Sequence, residues 1–237
     1  MIELRRISAP FEQDGACLQC HFTFAGQGDP RHVHWGHLRA LNEGQIDPGG
    51  AYRLGPHQDV DILTLVLDGT MRASVAERPD VILKTGDFHL ARTGVGVASL
   101  RWAGRARFVQ LWLLSEEEGG RPESVFHHCQ RHHESGRLVI LASGFTEDAP
   151  EDKDEGIEDE PLPLACNARI MQAWLAAGQS TAYETAPDRL LYVAILSGAL
   201  QINDVLVKQG VAIQGGLGIK ILARDDANFL LVDTSPR

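Results

Sequence analysis

Gly55-Pro-His-Gln-Asp-Val-Asp-Ile-Leu-Thr-Leu-Val-Leu-Asp-Gly-Thr70 is the stretch on which the fold turns. Its centre, Asp61 to Leu67, is a short apolar run rich in branched residues, opened by Gly55-Pro56 and closed by the turn signal Asp68-Gly69. A run this short between breakers reads as a buried strand rather than a helix. Outward from it, Arg107–Leu114, Arg137–Leu141 and Leu190–Leu196 repeat the pattern, while Arg169–Leu175 and Gly218–Ala223 alternate apolar with polar. Further turn signals stand at Gly86-Asp87, Ser197-Gly198 and Asn203-Asp204. Short strands punctuated about every 8–12 residues, with no long amphipathic helix between them, predict an all-β sandwich or barrel.

The stretch also has an echo. Leu65-Val-Leu-Asp-Gly-Thr-Met-Arg-Ala73, followed by Lys84-Thr-Gly-Asp-Phe88, is answered by Ala194-Ile-Leu-Ser-Gly-Ala-Leu-Gln-Ile202 and Lys208-Gln-Gly-Val-Ala-Ile213. Each reads as strand, glycine turn, strand, glycine turn, strand, which predicts two copies of one small barrel. A chain of 237 residues is long enough to give each copy a core.

Charge locates the break between the copies. The net charge is −10, and Glu147–Glu160, EDAPEDKDEGIEDE, holds nine acids and one lysine, so the rest of the chain stands at only −2. A self-repelling run with almost nothing apolar to bury is expected to be a solvated, mobile connection, and Pro161 and Pro163 follow it. The expected division is therefore 1–141, an acidic linker at 142–164, and 165–237. So acidic a chain is a poor coat for phosphates, which argues against nucleic acid as a partner. No apolar run approaches the length of a membrane span, and Met1-Ile-Glu-Leu-Arg-Arg lacks the apolar core of a signal peptide. Four scattered cysteines do not make a disulfide scaffold. A cytoplasmic protein is expected.

The opening stretch resembles the first cupin motif of the pirin-like bicupins, a family that includes pirin and bacterial quercetin 2,3-dioxygenase-type proteins. Phe22-Thr-Phe-Ala25, Asp29-Pro30 and Leu38-Arg-Ala-Leu-Asn42 resemble the family's N-terminal region. Gly86-Asp-Phe-His-Leu-Ala-Arg-Thr-Gly-Val-Gly-Val97 resembles its second cupin motif, and Val109-Gln-Leu-Trp-Leu113 the strand after it. The last 70 or so residues resemble the shorter C-terminal cupin. The resemblance implies two jelly-roll β-barrels packed face to face. It also implies one iron or other divalent metal in the N-terminal barrel, held by a His-Pro-His pair from the first motif and a His and Glu two residues apart from the second. Three imidazoles and a carboxylate suit such a metal, with open positions for dioxygen or substrate.

Carried onto this chain, those four positions fall on Gly55, His57, Ser99 and Arg101. Only His57 keeps a ligand. Arg101 sets a permanent cation where the family has its anionic ligand, because a guanidinium stays charged in proteins, and such a cation at about 4 Å from a divalent ion costs several kcal/mol. The family site is therefore expected to be degenerate, with no cofactor and no assigned catalytic residue. Relocated ligands are conceivable at His32, His34 and His37, the first two sharing a face if they lie on a strand. His127, His128, Cys129, His132 and His133 form a cluster able to pick up metal adventitiously, and Cys17-Leu-Gln-Cys20 has the spacing of half a zinc site. From Ala165 onward there is no histidine, so the second barrel offers no imidazole to a metal.

The expected function is a metal-free binding or regulatory bicupin for a small molecule, with Arg101 as the anchor for a carboxylate or phosphate. The bland alternative pairs Arg101 with Asp59 or Asp61. A second reading is a metal-dependent oxygenase of the quercetin 2,3-dioxygenase type with rearranged ligands, and a third uses His57 as a base oriented by Asp59.

Overall fold

The computed structural model describes residues 1–76, 78–128, 136–149, 160–214 and 218–237. In chain order the strands are β1 (Ile2–Arg5), β2 (Phe11–Gln13), β3 (Ala16–Cys20), β4 (Leu38–Leu54), β5 (Val60–Val75), β6 (Val81–Lys84), β7 (Asp87–Arg92), β8 (Leu100–Leu114), β9 (Glu123–His128) and β10 (Val139–Ser143). They continue with β11 (Leu162–Pro163), β12 (Ala168–Leu175), β13 (Ser180–Tyr183), β14 (Leu190–Ser197), β15 (Leu200–Ile202), β16 (Val205–Val207), β17 (Gly210–Gln214), β18 (Ile219–Ala223) and β19 (Ala227–Thr234). One 3-10 turn, Thr146–Asp148, is added to them. The protein is all-β, as its periodicity predicts. Among the described residues no helix is long and apolar enough to cross a membrane.

Two units form, each built mainly of antiparallel sheet. The N-terminal unit is one strongly curved sheet in the order β2-β3-β4-β8-β5-β7-β9, with β6 on β5. Its frame is three long antiparallel strands, β4, β5 and β8, of 17, 16 and 15 residues. Bulges between Ile46 and Gly50 and between Val66 and Asp68 break the register, which bends strands of this length around a core. Asp68-Gly69 is thus not the chain reversal expected from its sequence: β5 runs on through it. Gly69 has φ +87°, and a Cβ there would run into the Arg105 carbonyl oxygen, so the position bends the strand without ending it. Inside, alternation on β8 turns Leu100, Trp102, Ala106, Phe108, Gln110 and Trp112 to one buried face. The Tyr52 ring lies 5.7 Å from Trp102 and 6.3 Å from Phe108.

The C-terminal unit has two sheets, β1-β17-β14-β19-β12-β10-β11 and β13-β18-β15-β16. Their core is wholly aliphatic and aromatic: Met171, Leu191, Val193, Ile195, Val211, Phe229 and Leu231 are typical members. Each such side chain stabilises the fold by about 1.5–3 kcal/mol on burial. The internal echo is structural. β14 carries a bulge between Ile195 and Ser197, and Gly198 has φ +79° with its missing Cβ facing the Asp226 carbonyl oxygen, the arrangement found at Gly69.

The units are not cut linearly from the chain. Met1–Ile7 and Trp35–His37 belong with the C-terminal residues, whereas Ser8–His34 and Leu38 through β9 form the N-terminal unit. β1 pairs with β17 in the register Ile2↔Ile213 to Arg5↔Gly210, and Trp35 Nε1 donates to Leu191 O at 2.9 Å. β10 and β11, which bracket the acidic stretch, are strands of the same C-terminal sheet. Residues 150–159 of that stretch lie outside the described residues. Of its first two acids Glu147 is exposed, but the Asp148 side chain is 10% exposed and bound to Arg169.

Candidate functional site

His57 sits in the short connection from β4 to β5, tied by a two-way backbone bridge to Val97 at 3.1 and 2.9 Å. Its Nδ1 donates to the Gly55 carbonyl at 2.9 Å, which leaves Nε2 as the open face of the ring. The ring stands edge-on to Trp112, centroids 4.9 Å apart. Gly55 is exposed, with open space where a side chain would be.

The other two family positions lie elsewhere. Leu100 and Trp102 enter the core, so alternation sends Arg101 to the opposite face of β8, while Ser99 lies just before the strand begins. Ser99 is exposed. Arg101 is half-buried opposite Arg53 on β4 and Ser74 on β5, and it helps Ser74 and Arg72 hold the exposed Asp80 below the usual carboxylate range. Arg101 is therefore not brought to His57. It is not brought to the proposed acids either. Asp59 accepts the Gly119 N–H at 2.6 Å, and buried Asp61 accepts Arg92 Nε at 3.1 Å. Asp59 likewise makes no hydrogen bond that orients the His57 ring, whose Nδ1 is committed to Gly55.

The relocated candidates are scattered too. No strand covers 31–37, so the shared face expected for His32 and His34 does not form; His34 is exposed. His37 is buried and its N–H donates to Thr234 Oγ1 within the C-terminal unit. On β3 the odd spacing points Cys17 outward and Cys20 into the core, where burial pushes its thiol up to about 11, so the pair cannot chelate. His21 pairs with Glu43 Oε1 at 3.0 Å. Cys129, His132 and His133 lie outside the described residues. Among the described residues no three His, Cys, Asp or Glu side chains are arranged to hold a metal. One correctly oriented imidazole, a glycine, an exposed serine and an arginine on the far face do not fit the imidazole–carboxylate set of the family pattern.

Two polar groupings escaped the sequence reading. The first is a row across the inner face of the N-terminal sheet: Asn42 on β4, Gln110 on β8, Thr64 on β5 and His89 on β7 are successive cross-strand partners, all with no exposed surface. Gln110 Nε2 donates to Thr64 Oγ1 at 3.2 Å and Gln110 Oε1 accepts Trp112 Nε1 at 2.8 Å. His89 Nε2 bonds Ser124 Oγ at 2.9 Å, and burial pushes its pKa down to about 4, so the ring is neutral at pH 7. The equivalent row of the C-terminal unit, in the same strand order, is Met171, Leu231, Val193 and Val211.

The second grouping is one row further along the C-terminal ladder, where Arg169 and Asp233 are cross-strand partners. Buried Asp233 accepts from Tyr183 Oη at 2.7 Å and Thr185 Oγ1 at 2.8 Å, with Arg189 Nη1 at 3.5 Å. Arg169 makes a two-pronged contact to Asp148 at 2.5 and 2.7 Å and donates to Tyr183 Oη at 2.8 Å, while Arg189 reaches Glu147 at 3.0 Å. Both guanidiniums lie over the Phe145 ring, Arg189 at 3.7 Å. Burial, reinforced by Asp233, raises the Tyr183 pKa, so its hydroxyl stays protonated. Each charged side chain here has a partner, as a structural brace requires, although Asp233 Oδ1 accepts no hydrogen bond from the described residues.

Comparison with known proteins agrees with this architecture. Residues 5–113 match the family model described as Pirin, and residues 154–234 match the one described as Quercetinase C-terminal cupin domain. A pirin-like protein of Caulobacter vibrioides is 31% identical over 222 residues, 91% of this chain and 90% of its own. The quercetin 2,3-dioxygenase of Escherichia coli K12 is 25% identical over 223 residues, covering 91% and 90%. The bacterial pirin of Escherichia coli, solved in complex with nickel(II), superposes over 100% of both chains with a TM-score of 0.83 at 23% identity.

Proposed function

The chain belongs to the pirin family of bicupins, and from that premise we propose that it is a small-molecule-binding or regulatory bicupin of the cytoplasm whose family metal position has lapsed. The observation that carries this reading is the far-face placement of Arg101, which turns the family's carboxylate position away from the core, while Ser99 offers no imidazole at a second position. Glycine at position 55 removes a third member. The anionic ligand of this reading, a carboxylate or phosphate, is held on the outer face of β8, where Arg101 and Arg53 stand directly opposite one another. Two guanidiniums side by side repel unless an anion bridges them. A thermal-shift screen of small carboxylic acids is expected to stabilise the protein but not its Arg101→Ala variant. Equal response in both overturns the anion anchor.

One observation favours a second reading, a metal-dependent oxygenase of the quercetin 2,3-dioxygenase type with rearranged ligands. The Nδ1–H of His57 on a backbone carbonyl, with Nε2 free, is the tautomer that metal-binding histidines adopt. Metal analysis of tag-free protein separates the two, with His57→Ala as control. Below about 0.2 metal per chain, with no oxygen uptake on flavonols, the oxygenase reading fails; stoichiometric metal lost in His57→Ala overturns the metal-free one.

A further inference from the structure

We propose that the row Asn42–Gln110–Thr64–His89 inside the N-terminal barrel is a binding site for a small uncharged guest that both donates and accepts hydrogen bonds. All four side chains have no exposed surface. Within the barrel, Asn42 Oδ1 and Nδ2 and His89 Nδ1 have no protein partner, and neither do Tyr52 Oη and Trp102 Nε1 in the same core. Buried polar atoms in native proteins are almost always hydrogen-bonded, so such a concentration of unused donors and acceptors points to a guest.

The fold itself does not ask for polarity at this level. The C-terminal barrel has the same ladder, with the same bulge and glycine beside it, and fills the matching positions with Met171, Leu231, Val193 and Val211. Replacing an apolar layer with four polar residues sacrifices packing and desolvates amides, a choice that stabilises only if something else uses the hydrogen bonds.

The donors and acceptors define the guest. No Lys, Arg, Asp or Glu stands in the row, and His89 is neutral, so the site does not balance a charge. Asn42 presents its carbonyl and its amino group side by side, which matches a group with an adjacent donor and acceptor. Primary amides and lactams have that edge, and so does a pair of ordered waters. Gln110 is already held by Trp112, the residue that also touches His57, so the row is linked to the β4–β5 connection by direct contacts.

The test uses the full chain. A crystal structure at a resolution that shows ordered water is expected to place non-protein density within hydrogen-bond distance of Asn42 and His89 Nδ1. Native mass spectrometry of the purified protein tells the sources apart: an organic guest adds mass that denaturation removes, whereas density with no added mass is structural water and overturns the guest. In parallel, Asn42→Leu is expected to lower the melting midpoint by about 3–6 °C, because it removes used hydrogen bonds. An unused amide behaves oppositely, since its replacement by an apolar side chain of similar size removes a burial penalty. Only protein atoms around Asn42 in the map, or an Asn42→Leu midpoint at or above the parent's, overturns the proposal. If Asn42→Leu fails to fold, the map of the parent decides. Metal content does not enter any arm, so the fate of this site and that of the metal-free reading are read separately.

Discussion

The two barrels share a frame and differ in one layer. In both, a central strand carries a bulge next to a left-handed glycine, β5 running on through Gly69 and β14 ending just before Gly198, and both ladder four strands in the same order beside it. In the C-terminal barrel the layer Met171–Leu231–Val193–Val211 is dry and apolar, and its charges are gathered one row further on, where Arg169 and Asp233 are braced by Tyr183, Asp148 and Phe145. In the N-terminal barrel the polar layer is the inner one, while the next row, Ala40, Trp112, Ile62 and Ala91, is apolar. The difference teaches that backbone geometry was kept and side-chain chemistry moved. One barrel spends its interior on cohesion, and the other keeps hydrogen-bonding capacity inside.

Four measurements sharpen or break that contrast. The largest effect is expected from Asp233→Ala, which removes the fully buried carboxylate that accepts from Tyr183 and Thr185 and neighbours Arg189. Loss of one partner from a buried charged network costs about 3–5 kcal/mol, and denaturant melts of the variant should show it in the C-terminal unit alone. A loss below about 1 kcal/mol would reduce the network to surface decoration.

Next in size is a pH effect confined to the N-terminal barrel. The folded-state pKa of His89 is about 4 against an ordinary 6.5, so below pH 6.5 the unfolded chain takes up a proton that the folded one refuses. The stability is present in full above pH 6.5 and lost progressively down to about pH 4, by about 3 kcal/mol in all. His89→Gln should flatten the melting profile across that window. Val211 holds the matching position in the other barrel and contributes nothing there.

Gly69→Ala and Gly198→Ala come third. Each sets a Cβ against a backbone carbonyl at positive φ, and each is expected to cost about 2 kcal/mol in denaturant melts. Equal losses confirm that the bulges are equivalent; a harmless substitution at either position breaks the equivalence. The smallest effect belongs to Arg101→Ala, which should change stability by less than about 0.5 kcal/mol, since Arg101 lies outside the core.

Much of the frame was legible in the sequence because strands and turns announce themselves locally. The apolar run at 61–67, its echo at 194–196 and the glycines after both are short-range signals, and they announced two β-units without their boundaries. Asp68-Gly69 misled because a left-handed glycine serves a bulge as well as it serves a turn. The site was far less legible. Motif spacing could put Ser99 and Arg101 at the family positions, but only the register of β8 shows that Leu100 and Trp102 take the inward face. The polar row comes from four strands far apart in the chain, and nothing local unites Asn42, Thr64, His89 and Gln110. One trace was available: the internal echo aligns Thr64 with Val193, a polar residue opposite an apolar one at a position both copies bury.

The first strand has a consequence for how the molecule is made. Ile2–Arg5 closes the sheet of the C-terminal unit against Gly210–Ile213, and Trp35 returns to cap Leu191 of the same unit. β1 is therefore docked only after β17, far later in the chain, has been added, a loop closure that slows assembly. Until then the outer edge of β17 is bare, an open template for a neighbouring chain. A fragment beginning after residue 141 would carry that bare edge permanently, so the second barrel is expected to be handled as part of the whole chain and to aggregate when excised.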